Sequence, residues 1–330
     1  MNYDPTDIAL ALGKIAVVLA VVMTLAAYLV LIERKLLGRI QDRYGPNRVG
    51  PFGLLQPLAD AIKLLTKEDF RLPGADKWLF YLAPAMASIP AIMIFAVIPF
   101  GPPTTLFGRQ VEMQVVDLNV GLLLFIAFSS IAVYGVALGG WASNSKFALL
   151  GSIRGLAQLI SYEIPMGLSL VPVVMLARSF QLSEIVTAQE GCWFIVYQPL
   201  AFVIFFISII AECKRTPFDL PEAEGELVAG FHTEYSGMRF GLFFVGEYVN
   251  LIVLGGLAAT FFLGGWHGPW LPPVIWFLIK VMASACVFIW IRGTMPRLRY
   301  DQLMHFGWKV LTPLALVNIL ATGWFLMLKG

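Results

Sequence analysis

The stretch from residue 118 to residue 140 reads LNVGLLLFIAFSSIAVYGVALGG and contains no Asp, Glu, Lys or Arg. At about 1.5 Å per residue, a helix of this length is long enough to cross the ~30 Å hydrocarbon core of a bilayer. Seven comparable apolar runs occur elsewhere, so the sequence predicts an all-α, polytopic integral membrane protein with eight transmembrane helices. The predicted spans are 8–32, 78–100, 118–140, 153–178, 193–211, 242–264, 273–292 and 307–328.

The composition agrees with a protein dissolved mainly in lipid. Hydrophobic residues make up 58% of the 330 residues and charged residues 13%, with a mean hydropathy of +0.78. Soluble domains contain about 25% charged residues, so a soluble globular protein is excluded, and the 25 phenylalanines exclude a disordered one. No repeat or soluble domain interrupts the chain, so we expect one membrane domain over residues 1–330. The three cysteines form no CxxC motif and no phosphate-binding glycine motif occurs, so neither a metal site nor a nucleotide site is predicted.

The distribution of Lys and Arg predicts the orientation. Eighteen of them lie in or beside the odd-numbered loops, at 33–77, 141–152, 212–241 and 293–306. The even-numbered loops contain only Arg109 and Arg178. Because basic loops stay in the cytoplasm, we expect the odd loops to be cytoplasmic and both termini to lie on the periplasmic side of a bacterial inner membrane.

The first cytoplasmic loop contains an amphipathic pattern. Its apolar residues recur at helical spacing, and charged residues occupy the positions between them. This pattern predicts a helix that lies at the membrane surface or under a partner protein. Two interpretations stay open: an anchor that fixes the orientation, or a docking surface beside an apolar cleft for a lipid-soluble ligand. The apolar positions are Leu54, Leu55, Leu58, Ile62 and Leu65, and the charged ones are Asp60, Lys63 and Lys67.

The third cytoplasmic loop is unusually acidic. The acids alternate with apolar residues such as Phe218, Phe231 and Tyr235. One interpretation is a solvated acidic loop; the other is a loop folded back against protein, where crowded acids titrate near neutral pH and exchange protons. The seven acids between residues 212 and 247 are Glu212, Asp219, Glu222, Glu224, Glu226, Glu234 and Glu247.

Two ionisable residues fall deep within predicted spans. Glu163 lies in the fourth span and Lys280 in the seventh. Charged groups at this depth are costly unless they face a cavity or a partner, and they usually serve function. The alternative is a structural ion pair between Glu163 and Lys280.

Ten short motifs give the chain a resemblance to a known family. It resembles the H-subunit family of NADH:quinone oxidoreductase, respiratory complex I, which includes the mitochondrial subunit 1. The matching segments run in the family's order across nearly the whole chain. They are ERK at 33–35, YGPNRVG at 44–50, QPLAD at 56–60, KED at 67–69, SYE at 161–163, RTPFDLPEAE at 215–224, EYSG at 234–237, GEY at 246–248, RLRYDQ at 297–302 and GWK at 307–309.

The resemblance implies a function in an enzyme complex. The chain would be a subunit of a proton-pumping translocase, without a redox centre of its own. Quinone, the substrate, would enter from the bilayer between spans one and six and the helix in loop one, and Arg34, Asp60 and Phe231 would line its cavity. An acidic path would link quinone reduction to proton translocation, and spans two to six would resemble half of an antiporter-like subunit. The path residues would be Glu163, Glu212, Asp219, Glu222, Glu224, Glu226, Glu234 and Glu247, with His232 beside them.

The resemblance also implies partners. The quinone-reducing subunits of the peripheral arm and neighbouring membrane subunits would bind this chain, and FMN and iron–sulfur clusters would lie only in partner subunits. No nucleic acid is expected. The residues expected at the docking surface are Arg43, Asn47, Arg48, Lys63, Arg297 and Arg299.

Two other functions stay open at this point. The chain could be the anchor subunit of a related membrane-bound hydrogenase, or a stand-alone ion transporter in which Glu163 and Lys280 bind the ion. The long first loop favours the quinone enzyme, and loops suited to partner contact disfavour the transporter.

Overall fold

The computed structural model describes residues 5–70, 73–106, 109–222, 228 and 230–329. Twelve α-helices occur in these ranges. They are α1 (Pro5–Ile40), α2 (Gln56–Thr66), α3 (Lys77–Ile94), α4 (Gly121–Ala142), α5 (Lys146–Ala177), α6 (Leu182–Thr187), α7 (Phe194–Tyr197), α8 (Pro199–Glu212), α9 (Gly237–Phe262), α10 (Pro273–Thr294), α11 (Tyr300–Phe306) and α12 (Thr312–Lys329). A π-helical turn, Gly307–Leu311, joins α11 to α12.

Seven stretches of helix in the described chain are long and apolar enough to cross a membrane. They are Ala9–Ile40, Lys77–Val97, Gly121–Ala142, Lys146–Ala177, Gly237–Phe262, Pro273–Thr294 and Tyr300–Leu328. The protein is therefore an all-α polytopic membrane protein, as the sequence predicts.

The predicted fifth span corresponds to a shorter helix. Residues 193–211 fold as the single turn α7 followed by α8, which has 14 residues. The break falls at Gln198, before Pro199. Proline has no backbone N–H to donate to a preceding helical turn, and its ring disfavours a helical conformation at the residue before it. At about 1.5 Å per residue, α8 alone covers roughly 21 Å. The count of eight spans thus stays a prediction.

Several helices extend beyond the apolar runs that predict them. Helix α1 continues to Ile40, past the predicted end at residue 32. Helix α5 begins at Lys146, so the expected loop 141–152 is reduced to a short turn that includes Asn144, with a positive φ of 49°. The expected loop 293–306 contains α11. An apolar run marks only the part of a helix that lies in the lipid core. The backbone hydrogen bonds of a helix can continue beyond that core, so the observed helices are longer than the predicted spans.

A β-hairpin, which the sequence analysis does not predict, connects α3 to α4. Strand β1 (Gly101–Leu106) pairs antiparallel with β2 (Arg109–Met113), and the register shifts between Gly101 and Thr104. The shift agrees with the two prolines of β1, which cannot donate ladder hydrogen bonds.

Helix α9 forms the centre of the molecule and packs against α1, α2, α3 and α10. Its C-terminal half, from Leu251 to Phe262, is buried. Small residues allow the close helix packing typical of membrane proteins. At Gly135 of α4, for example, an added Cβ would lie 2.5 Å from the backbone nitrogen of Ala87 in α3. This packing positions the N-terminal half of α9 as a wall shared by two cavities.

Candidate functional site

An apolar cleft lies between α1, α2 and α9. Its empty volume, which includes space open to the surroundings, is about 700 Å³. Helix α2 is the amphipathic helix that the sequence predicts. The cleft occupies the place expected for a lipid-soluble ligand. Its walls are Met23, Ala26, Ala27 and Val30 of α1, Ala61, Leu64 and Leu65 of α2, and Met238, Gly241, Phe244, Val245 and Tyr248 of α9.

Polar contacts hold the end of α2 against the start of α9. The Arg239 guanidinium pairs with the Asp69 carboxylate at 3.0 Å and lies 4.0 Å from the ring centre of Tyr81. The Ser236 hydroxyl donates to the carbonyl of Glu68 at 3.2 Å. Closer to the cleft, a Cβ on Gly241 would lie 3.2 Å from Cδ1 of Leu64, so the absent side chain lets the two helices approach. These contacts give the cleft a fixed width.

Arg34 and Asp60, two of the residues predicted to line a quinone cavity, form an ion pair at the α1–α2 end of this region. Arg34 Nη1 lies 2.6 Å from Asp60 Oδ2, and the Gln56 amide donates to Asp60 Oδ1 at 3.0 Å. The two side chains are 42% and 31% exposed, so the pair contributes little stability by itself. Arg34 lies one helical turn after Val30 on α1, and Asp60 is next to Ala61 on α2. The ion pair is therefore a polar group near one end of the apolar cleft.

Phe231, the third predicted cavity residue, lies elsewhere. It is buried and lines a second cavity, on the other side of α9. Five acidic or basic residues line this acidic cavity together with apolar side chains: Glu212, Lys214, Glu222, His232 and Glu247. Phe244 lines both cavities, so a single aromatic side chain is common to the apolar cleft and the acidic cavity.

A buried charge network joins the elements around the acidic cavity. Arg215 donates through Nη1 to Glu33 at 2.5 Å and through Nε to Glu247 at 2.8 Å. Its guanidinium carbon lies 4.5 Å from the ring centre of Tyr248, which lines the cleft. Arg292 of α10 also pairs with Glu33. The side chains of Arg215 and Glu33 are each 3% exposed, so both charges depend on their partners.

Electrostatics keep Arg215 charged despite its burial. Burial opposes the charged form, but Glu247 and Glu33 outweigh it and hold the pKa of Arg215 well above its ordinary value. Its Nη2 nitrogen is buried without a hydrogen-bond partner among the described residues.

Glu212 and Glu163 meet neighbouring residues of α4. The Ser129 hydroxyl donates to Glu212 at 3.3 Å, and the Ser130 hydroxyl donates to Glu163. The two carboxyl groups are close enough to repel each other. Glu212 lines the acidic cavity whereas Glu163 does not, so Glu212 connects the cavity to Glu163 deeper in α5.

The loop after α8 supplies groups that titrate unusually. Burial, with repulsion from Glu247 and Asp219, raises the pKa of Glu222 to about 8. Burial also raises the pKa of Asp219, although its ion pair with Arg297 at 3.0 Å opposes the rise. Burial, with the charge of Lys214, lowers the pKa of His232 to about 4. A carboxyl with a pKa of about 8 exchanges a proton near neutral pH, whereas an imidazole with a pKa of about 4 stays neutral there.

The other predicted site residues lie in different parts of the chain. Glu224 and Glu226 lie outside the described residues. Glu234 is half-buried in the turn before α9 and does not line the acidic cavity. All six residues expected at the docking surface are exposed, namely Arg43, Asn47, Arg48, Lys63, Arg297 and Arg299.

The alternative ion pair between Glu163 and Lys280 is wrong. The Lys280 ammonium instead donates to the carbonyls of Leu263, Gly265 and His267, at 2.6, 2.9 and 2.6 Å. These carbonyls follow the C-terminal end of α9, where a cation is favourable. Lys280 is therefore satisfied by backbone.

Sequence reasoning missed the centre of the charge network. In the sequence, Glu33 and Arg215 stand out only as motif residues, and Arg292 is one of the eighteen basic residues in or beside the predicted cytoplasmic loops. A carboxylate at position 33, directly after the apolar run of α1, was the available signal for Glu33. For Arg215, the available signal was a basic residue within an otherwise acidic loop. Neither signal indicates that the two residues meet, since 182 positions separate them.

These features define a polytopic membrane protein in which a buried cluster of acids lies beside an apolar cleft. Within the described residues, no group of three or more His, Cys, Asp or Glu side chains is arranged to bind a metal ion. The family model for NADH dehydrogenase matches residues 13–323. The chain therefore belongs to the NADH dehydrogenase family.

Curated relatives match over nearly the full length, and all three described here are H subunits of NADH-quinone oxidoreductase. The one numbered 1 in Geobacter metallireducens is 81% identical over 323 residues, covering 98% of each chain. The one numbered 2 in Geobacter sulfurreducens is 77% identical over 327 residues, covering 99% of each. The one in Syntrophotalea carbinolica is 63% identical over 330 residues, covering 100% of each. These names favour the quinone enzyme over the hydrogenase anchor and the transporter.

Proposed function

We propose that this chain is the H subunit of a proton-pumping NADH:quinone oxidoreductase, that its apolar cleft admits quinone, and that its acidic cavity begins a proton path. The observation that carries the proposal is the contact between the two cavities. Phe244 lines both, and Arg215 stacks on Tyr248 of the cleft while it binds Glu247 of the cavity.

The cleft suits a ligand that arrives from the bilayer. A quinone carries a long apolar tail, and the walls between α1, α2 and α9 are almost entirely hydrocarbon. Arg34 and Asp60 would guide the more polar headgroup at the α1–α2 end. Phe231 would contribute to the acidic cavity and not to the quinone route, because it lines only the former.

The acids suit proton transfer in response to quinone reduction. Reduction of a quinone to a quinol takes up two electrons and two protons, so it creates a demand for protons beside the cleft. Glu222, whose pKa is raised to about 8, holds an available proton at neutral pH. Glu247 and Glu212 line the same cavity, and Glu163 lies beyond Glu212. The path would then run from Glu222 and Glu247 through Glu212 to Glu163. Asp219, Glu224, Glu226 and Glu234 would supply its loop.

The partners follow from the exposed surface of the first loop. Large apolar side chains at Tyr44, Phe52 and Leu58 are exposed beside the basic residues expected at the docking surface. The peripheral arm, with its FMN and iron–sulfur clusters, would cover this surface, and other membrane subunits would pack against the spans. We further propose eight spans in a single membrane domain of a bacterial inner membrane, with spans two to six antiporter-like and both termini periplasmic.

The test compares three single substitutions in the assembled complex. Glu163→Gln and Glu247→Gln remove a titratable group and keep the side-chain size, and we expect each to impair coupled NADH:quinone activity without loss of assembly. Glu184→Gln, on an exposed acid of α6, is the matched control and should leave activity unchanged. Full proton pumping in both path variants would refute the proton-path assignment. An assembled complex that contains nickel in place of flavin would refute the enzyme assignment.

A further inference from the structure

A separate apolar groove lies between α1 and α10, on a different face of α1 from the apolar cleft. It has an empty volume of about 580 Å³ and shares none of its lining residues with the cleft. The lining residues are Leu36, Ile40, Cys286, Val287 and Trp290. Trp290 and Ile40 are exposed, so the groove faces outward from the spans.

The walls of the groove are held in place on both sides. A Cβ on Gly293 would lie 3.0 Å from Leu37 Cδ2 and 3.1 Å from Ile40 Cδ1, so α1 and α10 are in close contact at this end. The ion pair between Arg292 and the buried Glu33 joins the same two helices. The groove is therefore preformed, and a ligand would not have to separate the helices.

Exposed basic residues lie next to the groove-lining Ile40 in the sequence. Arg39 is in the last turn of α1, one position before Ile40, and its side chain is exposed with no ion pair among the residues that the structure describes. Arg43 follows in the next turn and is also exposed. Trp290, an amphipathic ring of the kind found at membrane interfaces, lines the groove. The end of α1 that lines the groove therefore carries positive charge.

We propose that this groove binds an anionic phospholipid, with one acyl chain between α1 and α10 and the phosphate at Arg39. Two helices that are long and apolar enough to cross a membrane line the groove, and its Ile40 and Trp290 are exposed, so an acyl chain of the bilayer suits it. The positive charge of Arg39, in the last turn of α1, favours an anionic headgroup over a zwitterionic one. The alternatives are the tail of a quinone and a helix of a neighbouring subunit, and the experiment separates them.

The native cysteines supply the measurement. Cys286 lines the groove, Cys192 lies outside it, and both are partly accessible, whereas Cys213 is buried. The purified, assembled complex would be delipidated in detergent and treated with N-ethylmaleimide. Mass spectrometry of each cysteine peptide would follow modification while phosphatidylglycerol or phosphatidylcholine is added back.

Phosphatidylglycerol is expected to slow modification of Cys286 and not of Cys192. Loss of one basic contact near an anionic lipid weakens binding about fivefold, so phosphatidylglycerol should protect at about fivefold lower concentration than phosphatidylcholine. Arg39→Gln should abolish this difference. Arg178→Gln, at an exposed arginine that ends α5, should retain it.

Three results would overturn the proposal. Equal protection by the two lipids would show that the groove is only solvated by bulk lipid. A Cys286 that stays unmodified after delipidation would show that a neighbouring subunit covers it. Protection by quinone without protection by phosphatidylglycerol would assign the groove to quinone. None of these outcomes depends on the proton path or on enzyme activity.

Discussion

Replacing Arg215 by Gln should disrupt the charge network more than any other single substitution in the described loops. Among the described residues, the change removes the only cation that contacts both Glu33 and Glu247, although Arg292 still neutralises Glu33. Glu247, 14% exposed, would lose the ion-pair partner that the described part of the chain gives it. Removing one member of a buried pair costs about 3–5 kcal/mol, because the remaining charge stays desolvated.

That cost corresponds to a shift of more than roughly a hundredfold in the folding equilibrium of the chain. The assay is the amount of this chain retained in the purified complex, with NADH:quinone activity measured per assembled complex. We expect both to fall in Arg215→Gln. Arg215→Lys should recover part of the assembly, because it restores the charge but cannot form both hydrogen bonds at once.

Arg239→Gln is the matched control for the loss of an arginine ion pair. Its partner Asp69 is 35% exposed and can be solvated by water, whereas Arg239 itself is 13% exposed, so we expect a loss that is smaller than that of Arg215→Gln. If Arg215→Gln assembled and turned over like the parent, or lost no more than Arg239→Gln, then the network would not hold these elements together.

Three further substitutions test other parts of the structure. In the folded state the pKa of Glu222 is raised to about 8, so the folded chain keeps a proton that the unfolded chain releases near pH 4.5. The free energy of unfolding should therefore fall as the pH rises from about 5 to 8. Glu222→Gln should make the rate of thermal inactivation less dependent on pH in this range. Gly241→Val should narrow the cleft at Leu64 and raise the quinone KM about tenfold, with kcat little changed; an unchanged KM would exclude the cleft as the route. Lys280→Met removes three hydrogen bonds to carbonyls and should cost about 3 kcal/mol of stability, seen as faster thermal inactivation. Rescue of that variant by Glu163→Gln would contradict the backbone role of Lys280.

The features that sequence predicts well are those written in local periodicity. The apolar run at 118–140 appears as α4, and the spacing of Leu58, Ile62 and Leu65 appears as α2. Both patterns report on a single helix and its environment, so no knowledge of the rest of the fold is needed. The crowding of acids after residue 212 is also visible, because repulsion depends on charge density along a short segment.

The features that sequence could not predict are contacts between distant segments. Arg34 and Phe231 are predicted to line one cavity, but Phe231 lines the acidic cavity and Arg34 lines neither that cavity nor the apolar cleft. Glu163 and Lys280 were matched to each other by depth, yet backbone carbonyls satisfy Lys280. Depth along a helix is available from the sequence, whereas the direction in which each helix faces depends on how all the spans pack.

The most direct test of the account is proton pumping by the Glu212→Gln complex in sealed vesicles. Glu212 is buried and is the acid that lines the cavity and also lies beside Glu163, so it joins the two ends of the proposed path. We predict that the assembled Glu212→Gln complex loses NADH-driven proton translocation and that its quinone reduction falls with it. An assembled variant that translocates protons at the parent rate would contradict the central claim that the acidic cavity links quinone chemistry to proton movement.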